Sequence, residues 1–333
     1  MASRKSGASR AILYVAVLVV LGAALLVANA IQKRSAVTTI GIMQIIEHPA
    51  LDAAKKGFLD GLAEEGFTEG KDVKFESESA QGDMATAQSI AQKFVNDKVD
   101  MILAIATPTA QAAAKATSTI PILITAVTDP VAAELVKSID SPGTNVTGTS
   151  DLTPVAKQLE LLKQLVPTAQ RVGIVYNAGE TNSVVQVNLA REAAQALGIE
   201  LVEATASSTS GVYEAAQSLV GRVDAMYVPT DNTVVSALES VIKVAEESRI
   251  PLVVGEEDGV RRGALATVGI DYYALGKQTA KMAAKILREK AKPSEMPIEY
   301  QENVRLVINL KAAEKMGVTV PQSLIDQAYE VIQ

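Results

Sequence analysis

Four short motifs occur twice in this chain of 333 residues, in the same order both times. The second copies follow the first by 132, 129, 124 and 130 residues. A period this long excludes a solenoid, whose repeats are about 20–50 residues long. The chain is therefore predicted to contain one structural unit twice, divided near residues 150–154. The repeated motifs are Gly41-Ile42 with Gly173-Ile174, Ala87-Gln88-Ser89 with Ala216-Gln217-Ser218, Val99-Asp100 with Val223-Asp224, and Ile120-Pro121 with Ile250-Pro251.

Within both units, short aliphatic and β-branched runs alternate with longer Ala-rich stretches. The longer stretches carry apolar residues at helical spacing and include 51–65, 84–95, 155–165 and 184–197. The short runs resemble buried strands and include 39–46, 73–78, 101–105, 120–125, 171–176, 200–204, 225–228 and 250–254. Strands that alternate with helices of this length favour parallel sheets. We predict an α/β fold with two similar doubly wound parallel-sheet lobes joined by a hinge.

The residue composition excludes several classes of protein. Because the chain has no Cys, it has no disulfide, no thiolate metal site, no Cys nucleophile and no Cys for lipid attachment. A single histidine, His48, excludes a centre with several His ligands. No phosphate-binding loop and no nucleophile-elbow motif occurs in the sequence. We therefore expect a protein that is not an enzyme and that uses neither a metal nor another cofactor.

The net charge of −7 is an average over two unlike parts. Residues 1–35 contain no acid, whereas the rest of the chain has 26 basic and 38 acidic residues, a charge of −12. A body this acidic repels phosphate backbones, and the chain has no Trp and four Phe for stacking on bases. Nucleic acid is therefore excluded as a partner. The basic residues of the N-terminal part are Arg4, Lys5, Arg10, Lys33 and Arg34.

Residues 11–30 form an uncharged run within this basic N-terminal part. As a helix the run would measure about 30 Å, the thickness of a bilayer core. One interpretation is a secretory signal cleaved after Ala28-Asn29-Ala30, which has the small-x-small pattern of cleavage sites. The other, which the length of the run favours, is an uncleaved membrane anchor. In both cases residues 31–37 form a linker, and the body lies outside the cytoplasm.

The loops that follow the predicted strands hold the candidate site, because ligands of open parallel sheets bind beyond the strands' carboxyl ends. In the first unit these loops offer mainly neutral polar groups, from Gln44, His48, Thr107, Thr109, Thr128 and Asp129. In the second unit they are richer in acids and amides, from Tyr176, Asn177, Ser183, Thr230, Asp231 and Glu256. Hydroxyls and helix N–H groups suit an anion, and carboxylates suit a cation. The pattern favours a zwitterion such as an amino acid; alternatively, these residues are ordinary helix caps.

Five motifs carry a resemblance to a known family over about residues 38–333. They are EHPALD at 47–52, ATPTAQ at 106–111, VTDPV at 127–131, PTDN at 229–232 and RLVIN at 305–309. In these motifs the chain resembles the type I periplasmic-binding-protein superfamily. It is most similar to the ABC transporter substrate-binding proteins of the tryptophan/tyrosine-binding family. The resemblance implies that two lobes close on one small ligand and then dock on a membrane permease, which works with an ATPase.

The resemblance also implies roles for individual residues. Thr107, Thr109 and Thr128 would meet the ligand's carboxylate, and Asp231 would meet its ammonium group. By the habit of the family the chain returns to the first lobe near Asp271, which is a further candidate ligand residue. It leaves that lobe again near residue 300. The expected lobes are then 38–150 with about 272–299, and 151–271 with about 300–333.

The sequence thus predicts an extracytoplasmic solute-binding protein of an ABC importer. Its ligand is expected to be an amino acid, aromatic or not, or a similar small zwitterion. Because Trp is absent and Phe is rare, an aromatic ligand would pack on Tyr176, Tyr272 or Tyr273, or on aliphatic side chains. The alternative is a membrane-tethered sensor with the same fold, which an uncleaved N-terminal helix would favour. Ten residues precede that helix, too few for a cytoplasmic output domain.

Overall fold

The computed structural model describes residues 37–301 and 303–333. The predicted signal or anchor at 11–30 and the linker up to residue 36 lie outside the described residues. Within the described ranges, the chain forms a six-stranded sheet and a seven-stranded sheet. No helix in these ranges combines the length and the apolar character needed to cross a bilayer.

The strands, numbered along the chain, are in the first sheet β1 (Thr38–Gln44), β2 (Val73–Ser79), β3 (Met101–Ile105), β4 (Ile122–Val127), β5 (Val146–Ser150) and β11 (Glu299–Tyr300). Their order in the sheet is β2-β1-β3-β4-β5-β11, and every strand is parallel to its neighbours. The second sheet consists of β6 (Arg171–Tyr176), β7 (Glu200–Thr205), β8 (Ala225–Val228), β9 (Leu252–Val254), β10 (Ala266–Gly269), β12 (Arg305–Asn309) and β13 (Glu330–Ile332). Its order is β7-β6-β8-β9-β10-β12-β13, with β12 antiparallel to β10.

Helices pack on both sheets, and each sheet has its own apolar core. We call the first sheet with its helices lobe 1 and the second sheet with its helices lobe 2. The helices of lobe 1 are α1 (Pro49–Glu64), α2 (Met84–Asp97), α3 (Thr107–Ala116) and, from later in the chain, α10 (Tyr272–Glu289). Those of lobe 2 are α4 (Val155–Leu165), α5 (Thr181–Ala196), α6 (Val212–Gln217), α7 (Asn232–Ser236), α8 (Leu238–Ser248), α9 (Glu257–Arg262), α11 (Leu310–Met316) and α12 (Gln322–Gln327).

The internal repeat of the sequence is confirmed as a repeat of topology. The first five strands of each lobe have the same order, since β2-β1-β3-β4-β5 corresponds to β7-β6-β8-β9-β10. The repeated Asp residues also make the same bond. Asp100 accepts a hydrogen bond from the backbone N of Thr39 at 2.8 Å, and Asp224 accepts one from that of Arg171 at 2.8 Å. In both lobes this bond ties the loop before the third strand to the first strand.

The same packing constraint explains why Gly41 and Gly173 are glycines. A Cβ on Gly41 would lie 2.6 Å from the ring of Phe94, and one on Gly173 would lie 2.7 Å from a methyl group of Leu219. Real Cβ atoms do not approach other heavy atoms this closely, so each glycine lets a bulky side chain pack directly on the first strand. The repeat therefore preserves core packing as well as strand order.

Most predicted elements are observed, with shifts of a few residues at their ends. The strand at 101–105 and the helix at 155–165 have the predicted bounds. The strands expected at 120–125 and 250–254 begin two residues later, at Ile122 and Leu252. Pro121 and Pro251 precede them, and proline has no N–H to add to a sheet.

The described chain passes between the lobes after β5, between β10 and α10, and between β11 and β12. After the second passage, α10 crosses α1 at very short range. A Cβ on Gly276 would lie 1.9 Å from the carbonyl oxygen of Ala54, and one on Gly57 would lie 2.0 Å from that of Tyr273. The start of α10 is therefore held firmly on lobe 1, beside the passage between the lobes.

Candidate functional site

A small cavity of about 10 Å³ lies between the two lobes. It is bordered by the loops that follow β1 and β4 in lobe 1 and β8 and β9 in lobe 2. The carboxyl ends of strands from both sheets thus meet at one place, which is where ligands of open parallel sheets bind. The residues that line the cavity are His48, Ala50, Leu51, Ala126, Thr128, Asp151, Asn182, Thr230, Asp231, Asn232, Val235, Glu256 and Tyr272.

Three buried acids line the cavity, whereas the described lining includes no Lys and no Arg. Asp151, Asp231 and Glu256 are each at most 3 % exposed. Burial is the main cause that raises the pKa of all three carboxyls, and it brings that of Glu256 to about 8. A buried carboxylate is costly without a counter-charge, so the cavity favours a ligand that carries a positive group.

Asp231 is held in place by three donors of lobe 2. It is the N-cap residue of α7, and its Oδ1 accepts a hydrogen bond from the backbone N of Val234 at 2.8 Å. Its Oδ2 accepts bonds from the backbone N of Asn177 and from the Oγ of Ser183, both at 2.6 Å. These bonds fix the direction of the carboxyl group, but none of them supplies a full positive charge.

A fourth buried acid, Glu180, lies behind Asp231. It is the N-cap residue of α5, and its Oε1 accepts bonds from the Oγ1 of Thr233 at 2.7 Å and from the backbone N of Thr233 at 3.0 Å. Its Oε2 accepts a bond from the side-chain amide of Asn232 at 2.5 Å. The charge of Glu180 adds to burial in raising the pKa of Asp231. Glu180 thus fixes α7 to α5 and increases the need of Asp231 for a cation.

The lobe 1 side of the cleft contains a helix N-terminus without a side-chain cap. α3 follows β3 directly, and its N-cap residue is Ala106, which has φ +80°. The hydroxyl of Thr107 is buried and has no hydrogen-bond partner among the described residues. Thr109, in contrast, donates its hydroxyl to the carbonyl oxygens of Ile105 and Ala106, at 2.6 and 2.9 Å. Uncapped helix amides and the free hydroxyl of Thr107 suit an anion.

Strand β4, the neighbour of β3, also has an unusual backbone at its carboxyl end. Ala126 has φ +57°, and the register with β5 shifts between Ile124 and Val127. Left-handed backbone is uncommon for a residue with a side chain and costs free energy. This bulge lies where Ala126 and Thr128 border the cavity. The backbone of lobe 1 is therefore irregular at both strand ends beside the cleft.

Asp151 joins the two segments that connect the lobes near the cavity. It follows β5, and its Oδ1 accepts a hydrogen bond from the hydroxyl of Thr128 at 3.0 Å. Its Oδ2 accepts one from the hydroxyl of Tyr272, at the start of α10, at 2.7 Å. One buried carboxyl group thus links the end of β4, the first passage between the lobes and the second passage.

The three tyrosines suggested for stacking on a ligand have different surroundings. Tyr272 lines the cavity. The hydroxyl of Tyr176 donates to Glu203 at 2.7 Å, on the side of β7. That of Tyr273 donates to Asp60 of α1 at 2.9 Å. Neither Tyr176 nor Tyr273 is among the described residues that border the cavity.

Buried polar atoms without a hydrogen-bond partner are concentrated at this site. Leaving one such atom unpaired costs about 1–3 kcal/mol, so a concentration of them indicates where a polar ligand belongs. Four belong to residues that line the cavity, namely His48 Nδ1, Asn182 Oδ1, Thr230 Oγ1 and Glu256 Oε1. The other two in the described part of the chain are Thr107 Oγ1 and Thr153 Oγ1.

Of the residues predicted for the site, five border the cavity: His48, Thr128, Thr230, Asp231 and Glu256. Asn177 and Ser183 lie behind the wall and hold Asp231. Asp151, Asn182 and Glu180 are site residues that the sequence analysis does not single out. Glu180 and Asn182 lie between Asn177 and Ser183, in a strand-end loop that is already predicted for the site, whereas the strand before Asp151 resembles a loop.

The remaining predicted residues make local bonds away from the cavity wall. Gln44 donates its side-chain amide to Asp52 at 2.8 Å and to the carbonyl of Ile46 at 2.9 Å, which supports the loop that carries His48. The carboxyl group of Asp129 accepts bonds from the backbone N atoms of Val131 and Ala132, both at 2.9 Å. Thr109 and Tyr176 are bonded as described above.

Asp271 lies at the second passage between the lobes, outside the described wall of the cavity. It caps α10 by accepting a hydrogen bond from the backbone N of Ala274 at 3.0 Å. Its carboxylate also pairs with the guanidinium group of Arg305 at 2.8 Å. The residue therefore connects the second and third passages, and it holds the hinge rather than bordering the cavity.

Two α/β lobes of equal topology, joined by several passages around a small polar cavity, define a solute-binding protein of the type I periplasmic-binding-protein fold. Residues 39–332 match the family described as ABC transporter substrate binding protein. The chain belongs to this family, whose members bind a solute outside the cytoplasm and do not act as enzymes. The resemblance seen in the sequence and the binding function it implied are thereby confirmed.

Similar proteins include one from Clostridioides difficile (strain R20291) named tyrosine-binding protein. The chain is 48 % identical to it over 270 residues, which are 81 % of this chain and 78 % of that protein. A solved structure of an ABC domain from Streptococcus pneumonia in complex with L-Trp has a TM-score of 0.86 at 36 % identity. The match covers 89 % of this chain and all of that one.

A further similar structure is of an open, ligand-free protein. The ligand-free, open structure of a substrate-binding protein with adhesive properties from Clostridium difficile is 45 % identical and has a TM-score of 0.68. That match also covers 89 % of this chain and all of that one. Although more identical in sequence, it superposes less well than the L-Trp complex. Within this chain, Gln111 of lobe 1 donates across the cleft to the hydroxyl of Thr181 of lobe 2 at 3.4 Å.

Proposed function

We propose that the protein binds an aromatic L-amino acid, tyrosine or tryptophan, in the cavity between its lobes and delivers it to the permease and ATPase of an ABC importer. One observation carries the proposal. The cavity has a fixed, uncompensated carboxyl group on the lobe 2 side, and an uncapped helix N-terminus with a free hydroxyl lies on the lobe 1 side. The printed names of the similar proteins support an aromatic ligand.

Asp231 receives the ammonium group of the ligand. Its three hydrogen bonds aim the carboxyl group, and burial together with the charge of Glu180 raises its pKa in the free protein. A bound ammonium group supplies the missing positive charge and lowers that pKa again. The carboxyl group of Asp231 is therefore ionised in the complex, and binding at neutral pH is accompanied by loss of its proton.

The carboxylate of the ligand lies against lobe 1. Thr107 offers a hydroxyl without a partner, and the first amides of α3 have no acceptor within their own helix. Thr128 borders the cavity on the neighbouring strand end. The cavity is smaller than an amino acid, so the lobes stand further apart in the complex, and the aromatic ring then lies between the apolar side chains of Leu51 and Val235 and the ring of Tyr272. The ligand thus contacts both lobes and stabilises the closed arrangement.

The lobes that close on the ligand are 38–150 with about 272–299, and 151–271 with about 300–333. Closure is a hinge movement at the three passages between them. The closed form docks on the permease, and the apolar segment 11–30 holds the protein at the outer face of the membrane as an uncleaved anchor.

Isothermal titration of the full chain with each of the twenty common amino acids tests this function. We expect tyrosine or tryptophan to bind in the micromolar range or tighter, and aspartate and glutamate not to bind, because their extra carboxylate would meet the acidic wall. In Asp231→Asn the affinity should fall by about 2–5 kcal/mol, because the ammonium group loses its charged partner. Absence of binding by every amino acid would overturn the proposal.

A further inference from the structure

His48 and Glu256 face the same cavity from opposite lobes. His48 is the N-cap residue of α1 in lobe 1, and Glu256 is the N-cap residue of α9 in lobe 2. They are 8 % and 2 % exposed, and each has one polar atom without a partner, Nδ1 in His48 and Oε1 in Glu256. Both residues line the same cavity.

Both groups are mainly uncharged at neutral pH. Burial, with a smaller effect of Arg262, lowers the pKa of His48 to about 3, and burial raises the pKa of Glu256 to about 8. The second oxygen of Glu256, Oε2, already accepts a bond from the backbone N of Asp258 at 2.9 Å. A neutral imidazole and a protonated carboxyl group together offer a donor and an acceptor. They suit an uncharged polar group better than a second ammonium group.

The other acids of the cavity are already assigned. Asp231 is bonded to three donors of lobe 2, and Asp151 is bonded to Thr128 and Tyr272. His48 and Glu256 therefore supply polar atoms that neither the hinge nor the ammonium position uses. Apolar side chains stand in the same wall, namely Ala50, Leu51 and Val235. The combination suits an aromatic ring that ends in a polar atom.

We propose that His48 and Glu256 recognise the polar tip of the ligand's side chain and make the protein select a phenol hydroxyl or an indole N–H over an unsubstituted ring. The assignment rests on the proposed binding of an aromatic amino acid in this cavity. A phenol hydroxyl donates to one of the two groups and accepts from the other. A phenylalanine ring leaves both buried groups unpaired, as they are without ligand.

Calorimetric titration with L-tyrosine and L-phenylalanine measures this selectivity. We expect the wild-type protein to bind tyrosine at least about 50-fold more tightly than phenylalanine, because a site built for a hydroxyl rejects the analogue that lacks it. In Glu256→Met and in His48→Leu the ratio should fall below about 5, through weaker binding of tyrosine and unchanged or tighter binding of phenylalanine. Glu256→Gln, which can both donate and accept, should keep most of the selectivity.

Asp231→Asn is the matched control, because it should weaken both ligands by the same factor and leave their ratio unchanged. If no aromatic amino acid binds the wild-type protein, the proposed function fails and this assignment fails with it. If tyrosine and phenylalanine bind within about threefold of each other, or if Glu256→Met and His48→Leu leave the ratio unchanged, the assignment is overturned while the function stands. Should Glu256→Met not fold, as judged by circular dichroism, His48→Leu decides by the same criterion.

Discussion

The two lobes have the same strand order but opposite chemistry where they face each other. The helix after the first strand has His48 as its N-cap residue in lobe 1 and Glu180 in lobe 2. The helix after the third strand has Ala106 as its N-cap residue in lobe 1 and Asp231 in lobe 2. The repeated topology determines where these positions lie, and the residues at the helix caps determine which charge each lobe presents to the cleft.

The lobes also differ in the hydrogen-bond partners that the residues at these helix caps have without a ligand. In lobe 2, Asp231 and Glu180 accept several hydrogen bonds each from the same lobe. In lobe 1, Thr107 has an unpaired hydroxyl, and Ala106 and Ala126 have left-handed backbone. The carboxyl groups of Asp231 and Glu180 are therefore fixed in advance, whereas the hydroxyl of Thr107 gains a partner when a ligand arrives. Asn182, Thr230 and Glu256 of lobe 2 also have an atom without a partner, so both lobes gain bonds when they close on a ligand.

The largest effect is expected from Asp231→Asn. Removing the charge leaves the ligand's ammonium group buried without a partner, so binding should weaken by about 2–5 kcal/mol in titration calorimetry. Asp129→Asn is the control, since Asp129 is an acid at a lobe 1 strand end that does not border the cavity. An Asp231→Asn variant that binds as tightly as the wild type would contradict the proposal that the two lobes present different charges to the ligand.

The equivalence of the lobe cores can be tested with Gly41→Ala and Gly173→Ala. Each added methyl group meets a neighbouring side chain within 2.7 Å, so each variant should lower the free energy of unfolding by about 1–3 kcal/mol. Urea denaturation followed by circular dichroism measures the loss, and the affinity for the amino acid should be unchanged. Tolerance of one substitution but not of the other would show that the repeated glycines do not have the same role.

Two threonines of α3, Thr107 and Thr109, test which hydroxyl of lobe 1 binds the carboxylate of the ligand. Thr107→Val removes the unpaired hydroxyl and should weaken binding by about 1–2 kcal/mol. Thr109→Val removes a hydroxyl that bonds within the protein, so it should lower stability but not affinity. Titration and thermal unfolding of both variants distinguish these effects. Equal losses of affinity in the two variants would contradict the assignment of the carboxylate to Thr107.

Acid pH should weaken binding through Asp231. Burial and the charge of Glu180 raise the pKa of Asp231 in the free protein, whereas the ammonium group lowers it in the complex. Below the raised pKa, the ligand must displace a proton, so affinity should fall as the pH drops from 8 to 5, by up to about tenfold per pH unit. Calorimetry in buffers of different ionisation enthalpy counts the released proton. In Asp231→Asn the fall in affinity between pH 7 and 5 should vanish, since Glu256, whose pKa burial raises to about 8, stays protonated in that range. The same slope between pH 7 and 5 in that variant would assign the proton to another group.

Much of the fold could be predicted because the repeat and the apolar periodicity are properties of the sequence. Strand β5 is harder to recognise, since VTGTS contains a glycine and two threonines and resembles a loop. Without a recognisable strand before it, Asp151 is not at a predicted strand end, so the rule that ligands lie beyond strand ends does not point to this residue. Tyr176 was predicted for the site because it ends β6, but its side chain points towards Glu203. Successive side chains of a strand point to opposite faces of the sheet, so a residue that ends a strand does not always face the ligand.

The most direct test of the two-sided site uses ligands that lack one of the two charged groups. Calorimetry would compare the aromatic amino acid that binds most tightly with its decarboxylated amine and its deaminated acid. We predict that each analogue binds at least about 100-fold more weakly, because each leaves one lobe without its partner. The amine should lose the effect of Thr107→Val, and the acid should lose that of Asp231→Asn. An analogue that binds as tightly as the amino acid would contradict the assignment of the two charges to the two lobes.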